Sequence, residues 1–437
     1  MAKKFANTPR KRFFKLSALT VKAAGHYGKT KIQHALHNDE LRKEQAYNRL
    51  YSRLGEEVLS TLGEMKGAAM KVGQIASQMR HLFPEEFADQ IAKLQKQSPP
   101  MPFNEIRAQI QYSFGFPPEK LFNSFETEPF AAASIGQVHK AITRDGVEVV
   151  VKVQYPGVAQ SCASDLIHLK RLFSLSGLLK VDKESLDEVF SEVKDNLMRE
   201  LDYSQEASNL LEFARLHEKD DCIVIPAVLE DYSSDTVLTL SYEEGFSMSE
   251  LRQEGFSQND INTLAKTLIE AMLREVLEHQ KAHSDPHPGN FSFRKNGQVV
   301  IYDYGSVADM SDLVIERYID IVEAAVAGEF HRIDGLLLAL GVRNPEENAV
   351  DKGLYRAWFD DLLLPALEEE SADKAIVKIQ QGIQKHSHDF LAYRDAFKPC
   401  AETLFINRII GGHFLNLAEM GVDTDLKPLV RSYIFEE

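Results

Sequence analysis

An aspartate and an asparagine stand five residues apart in a loop that two prolines stiffen. The loop comprises residues 283–290 and follows a long helical pattern, and the pair is Asp285 and Asn290. A carboxylate and an amide oxygen at this spacing can meet at one magnesium–phosphate centre. This loop is therefore the first candidate for a site of phosphate chemistry.

The same loop allows a rival interpretation, in which His283, Asp285 and His287 bind a metal ion. Histidine ligands are often paired four residues apart on one face of a helix. Pro286 and Pro288 oppose that helical geometry, and no further cluster of His or Cys completes a zinc site. These observations favour the magnesium–phosphate interpretation.

A second acidic residue, Asp303, follows Asp285 by eighteen residues. It ends an apolar run in the segment Val300–Gly305, and an aromatic residue and a glycine come next. Such a segment by itself is only a turn. Asp303 follows Asp285 with a predicted hairpin between them, and this is the position of the Mg²⁺-binding aspartate in kinases.

A lysine at the end of a predicted buried strand is the third candidate. Val149–Lys152 follows Asp145-Gly146, a dipeptide typical of hairpin turns. Burial of an unpaired ammonium group is unfavourable by several kcal/mol, so a buried Lys152 should meet a carboxylate and a phosphate. The alternative is that its side chain extends along the strand to water.

The segment Ala131–Val138 precedes that strand and reads A-x-A-x-x-G-x-V. The phosphate loop of protein kinases reads G-x-G-x-x-G-x-V, and Lys152 here lies fourteen residues beyond Val138. Glycines let backbone amides approach phosphates closely, whereas alanines add methyl groups. We therefore expect nucleotide geometry or selectivity to differ from that of ordinary kinases. The alternative is an apolar strand of small residues.

Two further motifs make the pattern specific. Lys71–Gln74 reads K-V-G-Q, and Glu200–Asn209 reads E-L-D-Y-S-Q-E-A-S-N. With the alanine-rich segment, the lysine strand and the two aspartate segments, they occur in order from about residue 60 to residue 306. This set resembles the UbiB-like atypical kinases, also called AarF-domain kinases.

The resemblance implies a protein-kinase-like fold of two lobes, of class α+β, with an N-terminal helical K-x-G-Q element packed over the nucleotide cleft. Lys152 would bind the α- and β-phosphates of ATP and pair with Glu200. Lys71 would reach into the site and pair with Glu206. The lysines and glutamates are thus expected to form two separate pairs.

The resemblance also assigns the remaining site. Asp285 would take the catalytic position, Asn290 and Asp303 would hold Mg²⁺, and residues 240–243 would form the hinge that binds adenine. The residues expected around the nucleotide are Ala131, Ala132, Ala133, Ser134, Gly136, Val138, Lys152, Leu240 and Tyr242. The implied cofactors are ATP and Mg²⁺.

The activity that the resemblance implies is ATP hydrolysis, or phosphorylation of a lipid-like or quinone-precursor substrate, in support of ubiquinone biosynthesis at a membrane. Between Gly305 and Asp312 there is no long activation loop, and no Ala-Pro-Glu follows. A conventional protein kinase is thereby disfavoured, since it needs that platform for its peptide. A catalytically silent nucleotide-binding scaffold for a biosynthetic complex remains the other alternative.

The surrounding elements predict four regions: a basic arm at 1–38, a helical K-x-G-Q extension at 39–125, a kinase-like N-lobe with inserted helices at 126–243, and a helical C-lobe at 244–437. Apolar spacing predicts one long helix over 258–281. Residues 306–437 are expected to be helical, with no assigned role.

Composition excludes several classes of protein. The 437 residues carry a net charge of −16, which argues against a general nucleic-acid binder. Three well-separated cysteines exclude a disulfide scaffold and a cysteine zinc site. The uncharged runs are much shorter than the ~20 residues that a transmembrane helix needs. A cytoplasmic protein, peripheral on a membrane at most, is expected.

The charge is concentrated unevenly. Residues 1–38 contain seven Lys and two Arg but no Asp or Glu, so the rest of the chain carries −25, the difference between −16 and +9. Aromatic residues such as Phe13 and Phe14 lie among these cations. The arm could bind an anionic membrane surface, or it could be a solvated tail or a helix docked on the acidic body of the protein. A mitochondrial transit peptide is a third alternative, which the many lysines and few serines of the arm disfavour.

Overall fold

The structure is a computed structural model that describes residues 9–36, 40–63, 84–91, 93, 100–132, 135–176, 183–368, 372–386, 389, 392–398 and 400–435. The chain forms two compact units. Unit 1 comprises Met1–Ala207 and Val228–Tyr242, and unit 2 comprises Ser208–Ala227 and Glu243–Glu437. Helices and strands both contribute, as the predicted α+β class requires.

The described helices and strands are numbered here in chain order. The helices are α1 (Pro9–Leu36), α2 (Glu40–Gly63), α3 (Glu85–Ile91), α4 (Phe103–Phe114), α5 (Pro118–Leu121), α6 (Val158–Ser176), α7 (Lys183–Glu200), α8 (Tyr203–Leu216), α9 (Gln258–Leu273), α10 (Asp312–Val326), α11 (Ile333–Ala339), α12 (Lys352–Trp358), α13 (Leu364–Glu368), α14 (Ala372–Lys385), α15 (Ala401–Met420) and α16 (Lys427–Ile434). The strands are β1 (Phe122–Phe125), β2 (Ala131–Ala132), β3 (Gly136–Thr143), β4 (Glu148–Gln154), β5 (Ile223–Val224), β6 (Val237–Ser241), β7 (Lys281–His283), β8 (Phe291–Phe293), β9 (Val299–Ile301) and β10 (Val307–Asp309).

Unit 1 contains an antiparallel sheet in the order β1-β3-β4-β6, and β2 pairs with β3. The β3–β4 hairpin forms where the Asp-Gly signal predicts it, and Gly146 has φ +86°, a conformation that favours glycine. Val149, Val151 and Val153 of β4 are buried. Their burial orients the alternate residues of β4, including Lys152, to the other face of the sheet.

The described part of the basic arm is helix α1, which packs against α6 within unit 1. Leu16, Leu19 and Ala23 are buried on one face of α1, and Arg12 forms a buried ion pair with Asp165 of α6. Of the interpretations that the sequence left open, the structure shows the docked helix for residues 9–36. Apolar burial and charge pairing together hold the arm.

Unit 2 contains a three-stranded sheet, in which β5 is parallel to β9 and β8 is antiparallel to β9, and a two-stranded β7–β10 ladder. The predicted helix over 258–281 is shorter in the structure. α9 ends at Leu273, a π-helical turn covers Arg274–Glu278, and Lys281 already begins β7. The turn redirects the chain into the segment that carries Asp285.

The predicted regions and the two compact units do not share the same bounds. Residues 208–227 fall within the predicted N-lobe but belong to unit 2. The K-x-G-Q motif at 71–74 lies outside the described residues. Among the described helices, none is long and apolar enough to cross a membrane.

Candidate active site

The position of Lys152 follows from strand pairing in unit 1. On β4, Lys152 lies opposite Val138 of β3 on one side and opposite Leu238 of β6 on the other. A residue paired on both sides belongs to the centre of a sheet, where the backbone is held on two flanks. The ammonium group is therefore carried by an interior strand of the sheet.

The carboxylate of Glu206 pairs with that ammonium. Nζ of Lys152 lies 2.9 Å from Oε1 and 2.9 Å from Oε2 of Glu206. The Lys152 side chain is 18% exposed and that of Glu206 is 2% exposed. The Tyr203 ring adds a cation–π contact, with its centroid 5.2 Å from Nζ. The lysine is thus paired rather than extended into water.

This pairing differs from the expected one. The resemblance implies pairs of Lys152 with Glu200 and of Lys71 with Glu206, but in the structure Glu206 pairs with Lys152. Glu200 is the last residue of α7, whereas Glu206 lies in the first turn of α8. Lys71 lies outside the described residues, so its expected pair with Glu206 stays a prediction.

The alanine-rich segment begins as the edge strand β2. Ala131 pairs with Val138 and Ala132 pairs with Gln137, and both alanines are exposed. Gly136 is buried, and a Cβ there would lie 2.9 Å from the hydroxyl oxygen of Tyr203, closer than side-chain carbons approach. Glycine is therefore required at this position. Ala133 and Ser134 lie outside the described residues.

A buried polar network that sequence reasoning missed supports this segment. Gln137 accepts a hydrogen bond from the backbone N–H of Met101 and donates to Nε2 of His139, whose Nδ1 donates to the carbonyl of Glu126. Burial lowers the pKa of His139, which keeps the ring neutral as this arrangement requires. The sequence signal was a pair of polar residues, Gln137 and His139, which lie two apart and therefore on one face of the strand.

The predicted adenine hinge follows β6. Leu240 is buried and pairs with Val150, and the N–H of Tyr242 donates to the carbonyl of Glu148 at 3.0 Å. That N–H is used within the sheet. The Tyr242 ring stacks beneath the ammonium of Lys140, with 4.0 Å between Nζ and the ring centroid. Nucleotide contacts of Leu240 and Tyr242 remain predictions.

In unit 2, the loop 283–290 brings Asp285 and Asn290 together. Nδ2 of Asn290 donates to the carbonyl oxygen of Asp285 at 3.0 Å and to its Oδ2 at 3.1 Å. Both hydrogen bonds use the amide nitrogen, so the Asn290 Oδ1 is the atom left to act as a metal ligand. The five-residue spacing thus brings the two side chains into contact, and their meeting at a magnesium–phosphate centre stays a prediction.

Asp303 reaches the same end of the β8–β9 hairpin. Phe291 pairs with Ile301, and the N–H of Tyr302 donates to the carbonyl of Asn290 at 2.8 Å. Asp303 is the next residue and has φ +55°, which is rare for a residue other than glycine. This backbone strain occurs where functional residues concentrate.

His283 holds that unusual backbone in place. Its Nε2 lies 3.1 Å from the carbonyl oxygens of both Tyr302 and Asp303, so the N–H is shared between two acceptors. The backbone N–H of His283 donates to Oε2 of Glu275, and Oε1 of Glu275 contacts Nε2 of His217. Sequence reasoning missed Glu275 and His217, because neither belongs to a motif.

The histidines of this loop do not form the rival metal site. Nδ1 of His287 accepts a hydrogen bond from the N–H of Gly289, and His283 is buried with Nε2 on carbonyl groups. Within the part of the chain that the structure describes, no group of three His, Cys, Asp or Glu side chains is arranged to hold a metal ion. A nucleotide-bound Mg²⁺ needs only one or two protein oxygens besides phosphate and water. Asn290 and Asp303 fit that requirement.

An arginine far along the chain also contacts the loop. Nη2 of Arg408, on α15, lies 2.9 Å from Oδ1 of Asp285. The two residues are 123 positions apart. No spacing or motif marks Arg408, and it belongs to the region for which the sequence assigned no role.

Several known proteins are similar to this chain. The protein ACTIVITY OF BC1 COMPLEX KINASE 7, chloroplastic, of Arabidopsis thaliana is 32% identical over 315 residues, which are 70% of this chain and 44% of that protein. The atypical kinase COQ8B, mitochondrial, of Danio rerio is 30% identical over 276 residues, 63% of this chain and 44% of that protein. The chain therefore spans less than half the length of these two relatives.

A solved structure matches most of the chain. It is the complex of Rv3197 with erythromycin from Mycobacterium tuberculosis, with a TM-score of 0.61, 26% sequence identity, and coverage of 90% of this chain and 97% of that one. A family model described as the ABC1 atypical kinase-like domain matches residues 93–336. This match covers more than half of the chain and confirms the resemblance drawn from the motifs. The chain belongs to the ABC1 atypical kinase-like family.

Proposed function

We propose that this protein uses Mg²⁺-ATP, as a phosphotransferase or as an ATPase. The observation that carries the proposal is the meeting of Asp285, Asn290 and Asp303 at one end of the β8–β9 hairpin. Their oxygens are of the type that Mg²⁺ and phosphate chemistry require. In unit 1, Lys152 supplies the cation for the phosphates and Glu206 holds it.

Each residue then has a role. Lys152 binds the phosphates nearest the nucleoside, and Asn290 and Asp303 hold Mg²⁺, which offsets the negative charge of the phosphates. Asp285 takes the proton of the acceptor hydroxyl or water. The acceptor oxygen forms a bond to the γ-phosphorus, and the bond from that phosphorus to the bridging oxygen breaks, with its electron pair leaving on ADP.

We propose a lipid-like or quinone-precursor acceptor, in support of ubiquinone-related metabolism, which the relation to COQ8B supports. Helix α1 supports a peripheral contact with an anionic membrane, because Phe14 and Val21 are exposed on it among lysines. A basic helix with exposed apolar residues is typical of membrane-surface binding.

The test is ADP release by the purified full chain, with Mg²⁺-ATP, in the presence and absence of vesicles containing phosphatidylglycerol. Asp303→Asn should reduce release at least tenfold. The matched control is Asp309→Asn, which changes an exposed aspartate on β10 outside the proposed site. Equal rates in wild type and Asp303→Asn would overturn the role of Asp303.

A thermal-shift titration distinguishes an ATP-using enzyme from a catalytically silent scaffold that only binds the nucleotide. Mg²⁺-ATP that binds the folded protein raises its melting temperature by mass action. Stabilisation without ADP release would favour the catalytically silent scaffold. If Mg²⁺-ATP does not stabilise the protein and no ADP is released, the proposed use of ATP is overturned.

A further inference from the structure

Arg408 is held against the proposed catalytic loop by helix α15. About two turns beyond Arg408, the amide nitrogen of Asn416 donates to the carbonyl oxygen of Pro286 at 3.0 Å, and both residues are buried. At Gly412 a side-chain carbon would collide with the ring of Pro286. The helix therefore packs directly on the loop, and the base of the Arg408 side chain is fixed relative to Asp285.

The loop itself provides no cation. Residues 283–293 contain no Lys or Arg. His287 uses Nδ1 as a hydrogen-bond acceptor from Gly289, which is the arrangement of a neutral ring. Phosphoryl transfer concentrates negative charge on three equatorial oxygens, and enzymes stabilise it with positioned cations. Among the described residues of unit 2, Arg408 is the cation that contacts Asp285.

The geometry leaves Arg408 free to bind a second anion. A guanidinium carries five N–H donors, and only Nη2 is used on Asp285. The side chain is 47% exposed, so the remaining donors face an accessible space. Asp285 in turn has acceptor capacity left after its bonds with Arg408 and Asn290, because an ionised carboxylate offers about four lone-pair sites.

We propose that Arg408 is a catalytic residue that binds the phosphoryl group during its transfer, beside Asp285. This inference rests on the proposed function and adds a subsite for a tetrahedral or trigonal phosphate oxyanion. Arg408 stabilises the charge on the transferred group, while Asp285 takes the acceptor proton. The contrasting explanation is an ordinary surface ion pair that only joins α15 to the loop.

The experiment uses Mg²⁺-ADP with aluminium fluoride, which imitates the phosphoryl group in transfer and requires no knowledge of the acceptor. The melting temperature of the full chain is measured with Mg²⁺-ADP alone and again with aluminium fluoride added. The variants are Arg408→Gln and Arg408→Lys. The control is Arg332→Gln, because Arg332 and Glu329 form an ion pair 47% and 45% exposed, close to the 47% and 41% of Arg408 and Asp285.

The expected result is an equal stabilisation by Mg²⁺-ADP in all four proteins. The further stabilisation by aluminium fluoride should be the same in wild type and Arg332→Gln. In Arg408→Gln, the concentration of aluminium fluoride that gives half of this stabilisation should be at least tenfold higher. Arg408→Lys should lie between them, because lysine keeps the charge without the planar fork.

Two results would overturn the inference while leaving nucleotide binding intact: an unchanged fluoride effect in Arg408→Gln, or no fluoride effect in wild type. Failure of wild type to respond to Mg²⁺-ADP would instead overturn the proposed function and, with it, this subsite. A fall in the melting temperature of ligand-free Arg408→Gln, with the fluoride effect retained, would identify the surface ion pair as the correct explanation.

Discussion

Lys152 and Glu206 form a two-point ion pair, in which one ammonium group lies 2.9 Å from each of two carboxylate oxygens. The glutamate is 2% exposed and the lysine 18% exposed. Because water reaches the carboxylate less than the ammonium group, the charge of Glu206 depends more on the ion pair than the charge of Lys152 does. The exposed part of Lys152 is what a phosphate would contact. The pair therefore orients a phosphate-binding cation and anchors α8 to β4.

Glu206→Gln is expected to weaken Mg²⁺-ATP binding at least tenfold, because Lys152 loses the partner that orients it. Removal of one member of a buried pair is strongly destabilising. Since Lys152 keeps some contact with water, we expect a loss of about 2 kcal/mol in the free energy of unfolding. Urea unfolding and nucleotide titration measure the two effects.

Glu200→Gln is the matched variant for that prediction. It changes the glutamate that the sequence motif assigned to Lys152, and it should have the smaller effect on both affinity and stability. A larger effect of Glu200→Gln on nucleotide affinity would restore the original assignment.

Gly412→Ala is expected to separate α15 from the loop that carries Asp285. A methyl group there meets the ring of Pro286, and overpacking of this kind destabilises by about 1–3 kcal/mol. Gly411→Ala is the control, because nothing lies within 4 Å of a Cβ at that position. That neighbouring substitution should stabilise the helix by about 0.5–1 kcal/mol. Equal unfolding free energies for the two variants would contradict the close packing.

His413 is expected to make the protein sensitive to acid. Burial is the larger cause, and with the nearby His283 it lowers the pKa of His413 to about 3. The unfolded value is about 6.5, so the neutral ring contributes stability above that pH, and the contribution is lost as the pH falls from about 6.5 towards 3. One pH unit below 6.5, the loss is about 1.4 kcal/mol.

His413→Met tests that effect, because methionine adapts to an irregular buried space and does not titrate. Unfolding free energies at pH 7.5 and pH 5.5 should differ less in this variant than in wild type, by about 1.4 kcal/mol. The exposed His331, changed to Gln, should leave the difference as in wild type. If His413→Met retains the full wild-type loss between the two pH values, the origin of acid sensitivity lies elsewhere.

The sequence predicted the elements that local patterns encode. The Asp-Gly turn and the valines of β4 placed Lys152 in a hairpin, and the spacing of Asp285 and Asn290 placed them in contact. Local patterns did not determine which glutamate meets Lys152. The choice depends on the break between α7 and α8, because Glu200 ends one helix and Glu206 begins the next.

The spacing of residues along the sequence does not predict contacts between distant segments. Arg408 meets Asp285 across 123 positions. The end of the helix at Leu273 was missed for a related reason: the apolar period continues into Val276, and the π-helical turn is decided by tertiary contacts such as Glu275 with His217. In both cases the packing of unit 2, and not a local pattern, selects the conformation.

The two faces of helix α1 are expected to respond differently to substitution. Leu16 is buried, so Leu16→Ala should lower the free energy of unfolding by about 3 kcal/mol through the loss of apolar burial. Phe14 and Val21 lie seven residues apart and are exposed on the same helix. Their replacement by serine should leave the melting temperature within about 2 °C of wild type, because exposed substitutions have small effects on stability.

The proposed membrane contact predicts that replacement of Phe14 and Val21 has a large effect on vesicle binding, in contrast to its small effect on stability. Each cation near an anionic leaflet contributes about 1 kcal/mol, and exposed apolar residues add the insertion of their side chains. Wild type should therefore co-sediment with vesicles containing phosphatidylglycerol and not with phosphatidylcholine alone, and the Phe14→Ser, Val21→Ser protein should lose most of that sedimentation. Salt should weaken the binding, since attraction beyond about 8 Å is screened at physiological ionic strength. Equal sedimentation of wild type and the double variant would show that α1 serves only to dock on α6.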